Sequence, residues 1–181
     1  MNGLLNYLRK YGILLCNTNP ELPALEDIGC GWGDVTELID RQELFYCKAF
    51  QKRTAYLSKE VYYLLKEVRQ KKPLTPAAQK IYAILEDGAA VEASFLKAVS
   101  GLDPKSFRGG FDLLLQNLDI TALRNGKPLN ESWSTFLYGT AEEWEKRAPG
   151  PAPAENPEER LWEILSQTMT ERQFKSLTGG R

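Results

Sequence analysis

The spacing of apolar positions divides the chain into helical, extended and loop segments. Leu4, Leu5, Leu8 and Tyr11 recur at helical spacing and predict a short amphipathic helix over 2–11, ended near Gly12. The Asn-, Pro- and Gly-rich stretch 17–33 predicts loop, and Asp34 is placed to cap a helix carrying Val35, Leu38 and Ile39. Leu44 to Cys47 with Ala49 and Phe50 reads as a strand followed by Tyr56 and Leu57. Ser58-Lys59-Glu60-Val61 reads as a capping box that leads into a helix through Leu64, Leu65 and Val68.

Past Pro73 the pattern becomes denser. Thr75 and Pro76 open a helix with Ile81, Ile84 and Leu85 on one face, and Gly88 stops it. A second helix is expected to turn Val91, Phe95, Leu96 and Val99 inward and to end at Gly101. Asp103 and Pro104 begin a third, with Phe107, Phe111, Leu114, Leu115 and Leu118 as its apolar face. Ile120 to Leu123, then Arg124-Asn125-Gly126-Lys127, then Trp133 to Tyr138 read as strand, Asn-Gly turn and strand. Three helices and a hairpin in this order predict a winged helix-turn-helix. The alternative is a small α+β domain with no nucleic-acid role. The expected fold class is therefore α+β, mostly helical, with a winged helix-turn-helix core, an N-terminal α/β extension and a C-terminal helical tail. The expected divisions are 1–72, 73–148, a Pro/Ala linker at 149–157, and 158–181.

Composition narrows the chemistry. With 43% apolar residues in 181, the chain can build a packed core. Its three cysteines, Cys16, Cys30 and Cys47, lack CxxC spacing and read as reduced thiols of a cytoplasmic protein. No signal peptide or membrane span is expected. The absence of histidine removes the commonest general base and metal ligand. No catalytic residue, metal site or cofactor is expected. Asp27-Ile28-Gly29-Cys30-Gly31-Trp32-Gly33 matches the glycine pattern of S-adenosylmethionine methyltransferases, but Pro20, Glu21, Pro23 and Glu26 precede it where a buried strand is required.

Net charge is −1, so a polyanion can be held only by a local concentration of cations. The segment 48–72 has such an excess, with Lys48, Lys52, Arg53, Lys71 and Lys72 as the strongest candidates. The third helix offers Lys105 and Arg108, and the expected wing offers Arg124, Asn125 and Lys127. A solvated helix face is the plainer reading of the same charges.

Tyr46 to Leu65, YCKAFQKRTAYLSKEVYYLL, then a three-helix unit and the stretch LNESWSTFLYGTAEEWEKR, resemble winged-helix proteins related to the AlkZ DNA glycosylases over about residues 40–148. The resemblance implies tandem winged helices that embrace DNA, and in the enzymes the excision of alkylated or crosslinked bases through a Gln-x-Gln motif. The glutamines here, at 42, 51, 70, 79, 116, 167 and 173, form no such pair. The resemblance therefore implies scaffold and DNA partner without the activity. The leading expectation is a non-enzymatic protein that binds duplex DNA as a regulator or repair accessory. A winged-helix module that binds protein is second, and a minimal glycosylase or methyltransferase comes last.

Overall fold

The computed structural model describes residues 2–130 and 133–179. Met1, Glu131, Ser132, Gly180 and Arg181 lie outside the described residues, two of them within the stretch 129–147 that carries part of the family resemblance. The fold is α+β, about half helical, with two antiparallel sheets.

Helix α1 (Gly3–Tyr11) starts where the Asn2 side chain accepts the Leu4 and Leu5 N–H groups. It ends at Gly12, whose φ of 84° lies in the left-handed region, so the predicted stop is where it was placed. Strand β1 (Ile13–Leu15), absent from the sequence reading, follows at once. A single 3-10 turn (Leu25–Ile28) precedes α2 (Trp32–Asp40). Asp34 does not cap α2. It sits inside the first turn and reaches back to accept the Gly31 N–H at 2.9 Å, because the helix begins three residues earlier than its apolar face suggests.

Strands β2 (Leu44–Phe50) and β3 (Arg53–Ser58) form a hairpin, and the sheet order is β1-β3-β2. Helix α3 (Lys59–Val68) starts on the Ser58 hydroxyl, which accepts the Val61 N–H; the reciprocal half of the expected capping box is missing because Val61 has no polar group to return.

The first sheet is buried on both faces, which explains why β2 reads as a nearly continuous apolar run. Ile13, Leu15, Phe45, Cys47, Ala55 and Leu57 point into one core, shared with Trp144 and the C-terminal Leu161, Leu165 and Leu177. Leu14, Leu44, Tyr46 and Tyr56 point into a second core, shared with α1, α2 and the segment 78–138. Alternation is present, but both faces are apolar.

Helices α4 (Pro76–Leu85), α5 (Ala93–Ser100) and α6 (Pro104–Gln116) begin and end close to their predicted signals. Helix α4 packs on α6, where Gly110 permits close approach; a Cβ there would sit 2.8 Å from the Ala78 nitrogen. Two predicted orientations change. Phe95 and Val99 face outward, each 53% exposed, leaving Leu96 as the buried contact of α5. Leu118, with φ 62°, turns away from Phe107 and Leu114 into the other core.

The second sheet pairs β4 (Ile120–Pro128) with β5 (Ser134–Thr140). The Asn-Gly pair is not its turn. Asn125 lies opposite Phe136 within the ladder, and the strands part only beyond the Pro128–Ser134 pair. Val91, between α4 and α5, exchanges two backbone hydrogen bonds with Tyr138 of β5, at 3.0 and 2.8 Å.

Helix α7 (Ala141–Arg147) buries Trp144, whose indole N–H donates to the Leu44 carbonyl. Helices α8 (Pro157–Leu165) and α9 (Glu171–Thr178) pack into the first core beside α3. No helix is long and apolar enough to cross a membrane among the described residues.

Candidate nucleic-acid interface

The cations of 48–72 come from two places in the fold. Lys48 and Lys52 belong to the β2–β3 hairpin, whose two-residue tip, Gln51 and Lys52, has φ of 50° and 59°. This left-handed pair matches strand twist, though neither residue is one that favours it. Lys71 and Lys72 lie on the extended connection between α3 and α4. Both sets line one cleft of about 420 Å³, together with Arg69 and Gln116.

The connection is held in place by its own polar groups. Asn117 accepts the Lys72 N–H at 3.0 Å and donates to the Lys72 carbonyl at 2.8 Å. Arg69 donates from Nε to the Gln116 carbonyl at 2.9 Å and from a terminal nitrogen to the Leu177 carbonyl, so it joins the ends of α6 and α9. Burial lowers the Arg69 pKa, with the two carbonyls supplying the hydrogen bonds that water would otherwise give. Arg69 is thus a structural cation.

Not all the cleft cations are unengaged. Lys48 pairs with Asp112 at 2.9 Å and Lys71 with Asp119 at 2.7 Å. Lys72 donates from Nζ to Gln116 Oε1 at 3.3 Å. Lys52 and Arg53 are exposed and have no ion-pair partner among the described residues. A phosphate entering the cleft would meet Lys52 and Lys72 first and would compete with a carboxylate for Lys48 and Lys71.

Helical spacing puts Lys105, Arg108, Asp112 and Gln116 on one stripe of α6. Gln116 lines the cleft and Asp112 pairs with its Lys48, so Lys105 and Arg108 extend from there along the exposed part of that stripe. The β4 candidates are placed otherwise. Arg124 borders a small recess with Gln42, Glu143 and Arg147. Asn125 donates its N–H to Asp40 and accepts from Ser134 Oγ, and Lys127 donates its N–H to Thr135 Oγ1 while its side chain is exposed. No recorded hydrogen bond or ion pair links these three to the cleft among the described residues.

The sequence shows Asp112 among the cations of the third helix, but not that Asp112 and Asp119 face Lys48 and Lys71. The i to i+7 spacing of Lys105 and Asp112 was visible, but which lysine Asp112 would meet depends on the packing of α6 on β2. The glycine-rich segment 27–33 begins within a 3-10 turn, not after a buried parallel strand, and both sheets are antiparallel.

A family model described as AlkZ related matches residues 1–177. No curated protein matches the chain, and no solved structure does.

Proposed function

The chain belongs to the AlkZ-related family, and from that premise we propose that it is a non-enzymatic winged-helix protein that binds duplex DNA. In this reading α4, α5 and α6 are the three helices, β4 and β5 the wing, and Val91 the short strand that closes the wing on its inner edge. The order helix, strand, helix, helix, strand, strand supports it. The observation that carries the DNA partner is the convergence of Lys48, Lys52, Lys71 and Lys72 on one cleft, continued by Lys105 and Arg108 along α6. A regulatory or repair-accessory role follows from the family and from the missing histidine and Gln-x-Gln pair.

The test is fluorescence anisotropy of a labelled duplex across a salt series. Neutralising four to six phosphates gives a log–log slope of roughly −4 to −5. Lys52→Glu with Lys72→Glu should weaken all sequences alike, because phosphate contacts position without specifying, whereas Arg108→Ala should shift sequence preference. A double variant that binds as the parent does would sink this placement of the surface.

A second reading, a protein-binding module, is favoured by Phe95 and Val99, which present an exposed apolar pair one turn apart on α5. It becomes the better one if no duplex binds at low salt and tens of micromolar protein.

A further inference from the structure

Two recesses meet at the Trp32 side chain, away from the basic cleft. The larger, about 560 Å³, lies between the 25–33 segment and the end of the β4–β5 hairpin where Pro128 pairs with Ser134. The smaller, about 280 Å³, is bordered by Tyr46, Glu92, Phe136 and Tyr138. Trp32 and Ser134 border both.

The walls are flat and aromatic. Trp32 lies 5.0 Å from Trp133 and 4.9 Å from Phe136, centroid to centroid, and Trp133 is 49% exposed. The Trp32 indole N–H is already committed to Ser134 Oγ at 2.9 Å, and Ser134 donates onward to Asn125 Oδ1. What Trp32 has left to offer a ligand is its ring face.

Gly29 takes the left-handed φ of 69° that closes the 3-10 turn, but no backbone conformation requires a glycine at 31 or 33. Gly31 has φ −135°, which any residue adopts, and Gly33 lies in the first turn of α2, where glycine costs up to about 1 kcal/mol relative to alanine. A Cβ on either would meet nothing within 4 Å, and both border the larger recess. What they do is keep that space open.

The charge is one-sided. Glu26 borders one recess and Glu92 the other, and among the described residues no lysine or arginine borders either. Such a rim disfavours anions. The wholly buried Tyr56 hydroxyl meets no nitrogen or oxygen partner among the described residues; it lies beside the Cys16 thiol, which borders the larger recess, and near Tyr46 and Tyr138, which border the smaller.

We propose that these joined recesses bind a planar heteroaromatic molecule that carries no anionic group, held by stacking on Trp32 and Trp133. The site is separate from the basic cleft, with which it shares no lining residue.

Two-dimensional NMR of the full chain tests this, since its four tryptophans give separate indole N–H signals. Coumarin is the probe and coumarin-3-carboxylate its anionic counterpart. Coumarin should shift the Trp32 and Trp133 signals saturably at millimolar concentration or below and leave Trp144 and Trp162 in place. The carboxylate should bind at least tenfold more weakly. Gly33→Leu should reduce coumarin binding at least tenfold without lowering Tm. Glu26→Gln should tighten the carboxylate at least threefold, a gain that misfolding cannot produce. The proposal is overturned if coumarin shifts neither Trp32 nor Trp133, if Gly33→Leu binds it unchanged, or if the two probes bind alike.

Discussion

Thr121 shows how much one side chain can hold. Strand β2 is the edge of its sheet, so Tyr46 presents an N–H and a carbonyl outward with no strand to receive them. The buried Thr121 hydroxyl accepts the first at 3.0 Å and donates to the second at 2.8 Å, which joins the two sheets. Thr121→Val keeps the shape and leaves both groups unpaired, so urea melts should show a loss of about 2–4 kcal/mol. Thr121→Ser should keep most of the stability. A valine variant within about 0.5 kcal/mol of the parent would mean that water replaces the hydroxyl. Nothing in the sequence marks this threonine, because its partner lies 75 positions away. Caps such as Asn2, Thr75 and Asp103 are local, and only the latter two were legible as signals beside their helices.

At the scale of elements, periodicity located most of the helices and left two assignments to tertiary packing. Phe95 and Val99 sit at helical spacing with Leu96, and spacing alone does not say which neighbour buries them. Asn125-Gly126 carries the usual letters of a tight turn, yet Gly126 serves another purpose. A Cβ there would stand 2.5 Å from Thr135 Oγ1 and 2.9 Å from its backbone oxygen, so the glycine lets β5 pass close to β4. Gly126→Ala should therefore cost about 1–3 kcal/mol, the range for an overpacked site. A melting curve that matches the parent would instead return Gly126 to the role of a turn residue. Of the basic candidates, the 48–72 group was legible as a charge excess, while the carboxylates opposite it were not, since Asp112 and Asp119 approach only through the packing of α6.

For the whole molecule, the buried tyrosines set a limit on the alkaline side. Burial raises the pKa of Tyr46, Tyr56, Tyr62 and Tyr138 above the ordinary value of 10.0, with Glu145 adding to the shift at Tyr62. Raised values in the folded state mean that the unfolded chain gives up these protons first. Their contribution is complete below pH 10 and is lost as pH climbs past it. Stability should hold from neutral pH to about 9.5 and then fall steeply, followed by circular dichroism during a pH-jump series. Replacing Tyr62 with Phe should move the fall to higher pH, and a curve that stays flat through pH 11 would contradict the assignment. The tyrosines were visible in the sequence, but their burial on two opposite faces of one sheet was not.

The sheet with two apolar faces also bears on how the chain is made. Its strands end at Ser58, yet one face is closed by Leu161, Leu165 and Leu177, which leave the ribosome roughly a hundred residues later. At about 5–20 residues per second, that is a wait of about 5–20 s. During that time α3 covers part of this face, as Tyr62 does Phe45, but the C-terminal part of the cover is missing and the nascent chain offers a sticky surface. Its vulnerability is therefore greatest before synthesis ends, and any mutation that slows translation between 60 and 160 prolongs it.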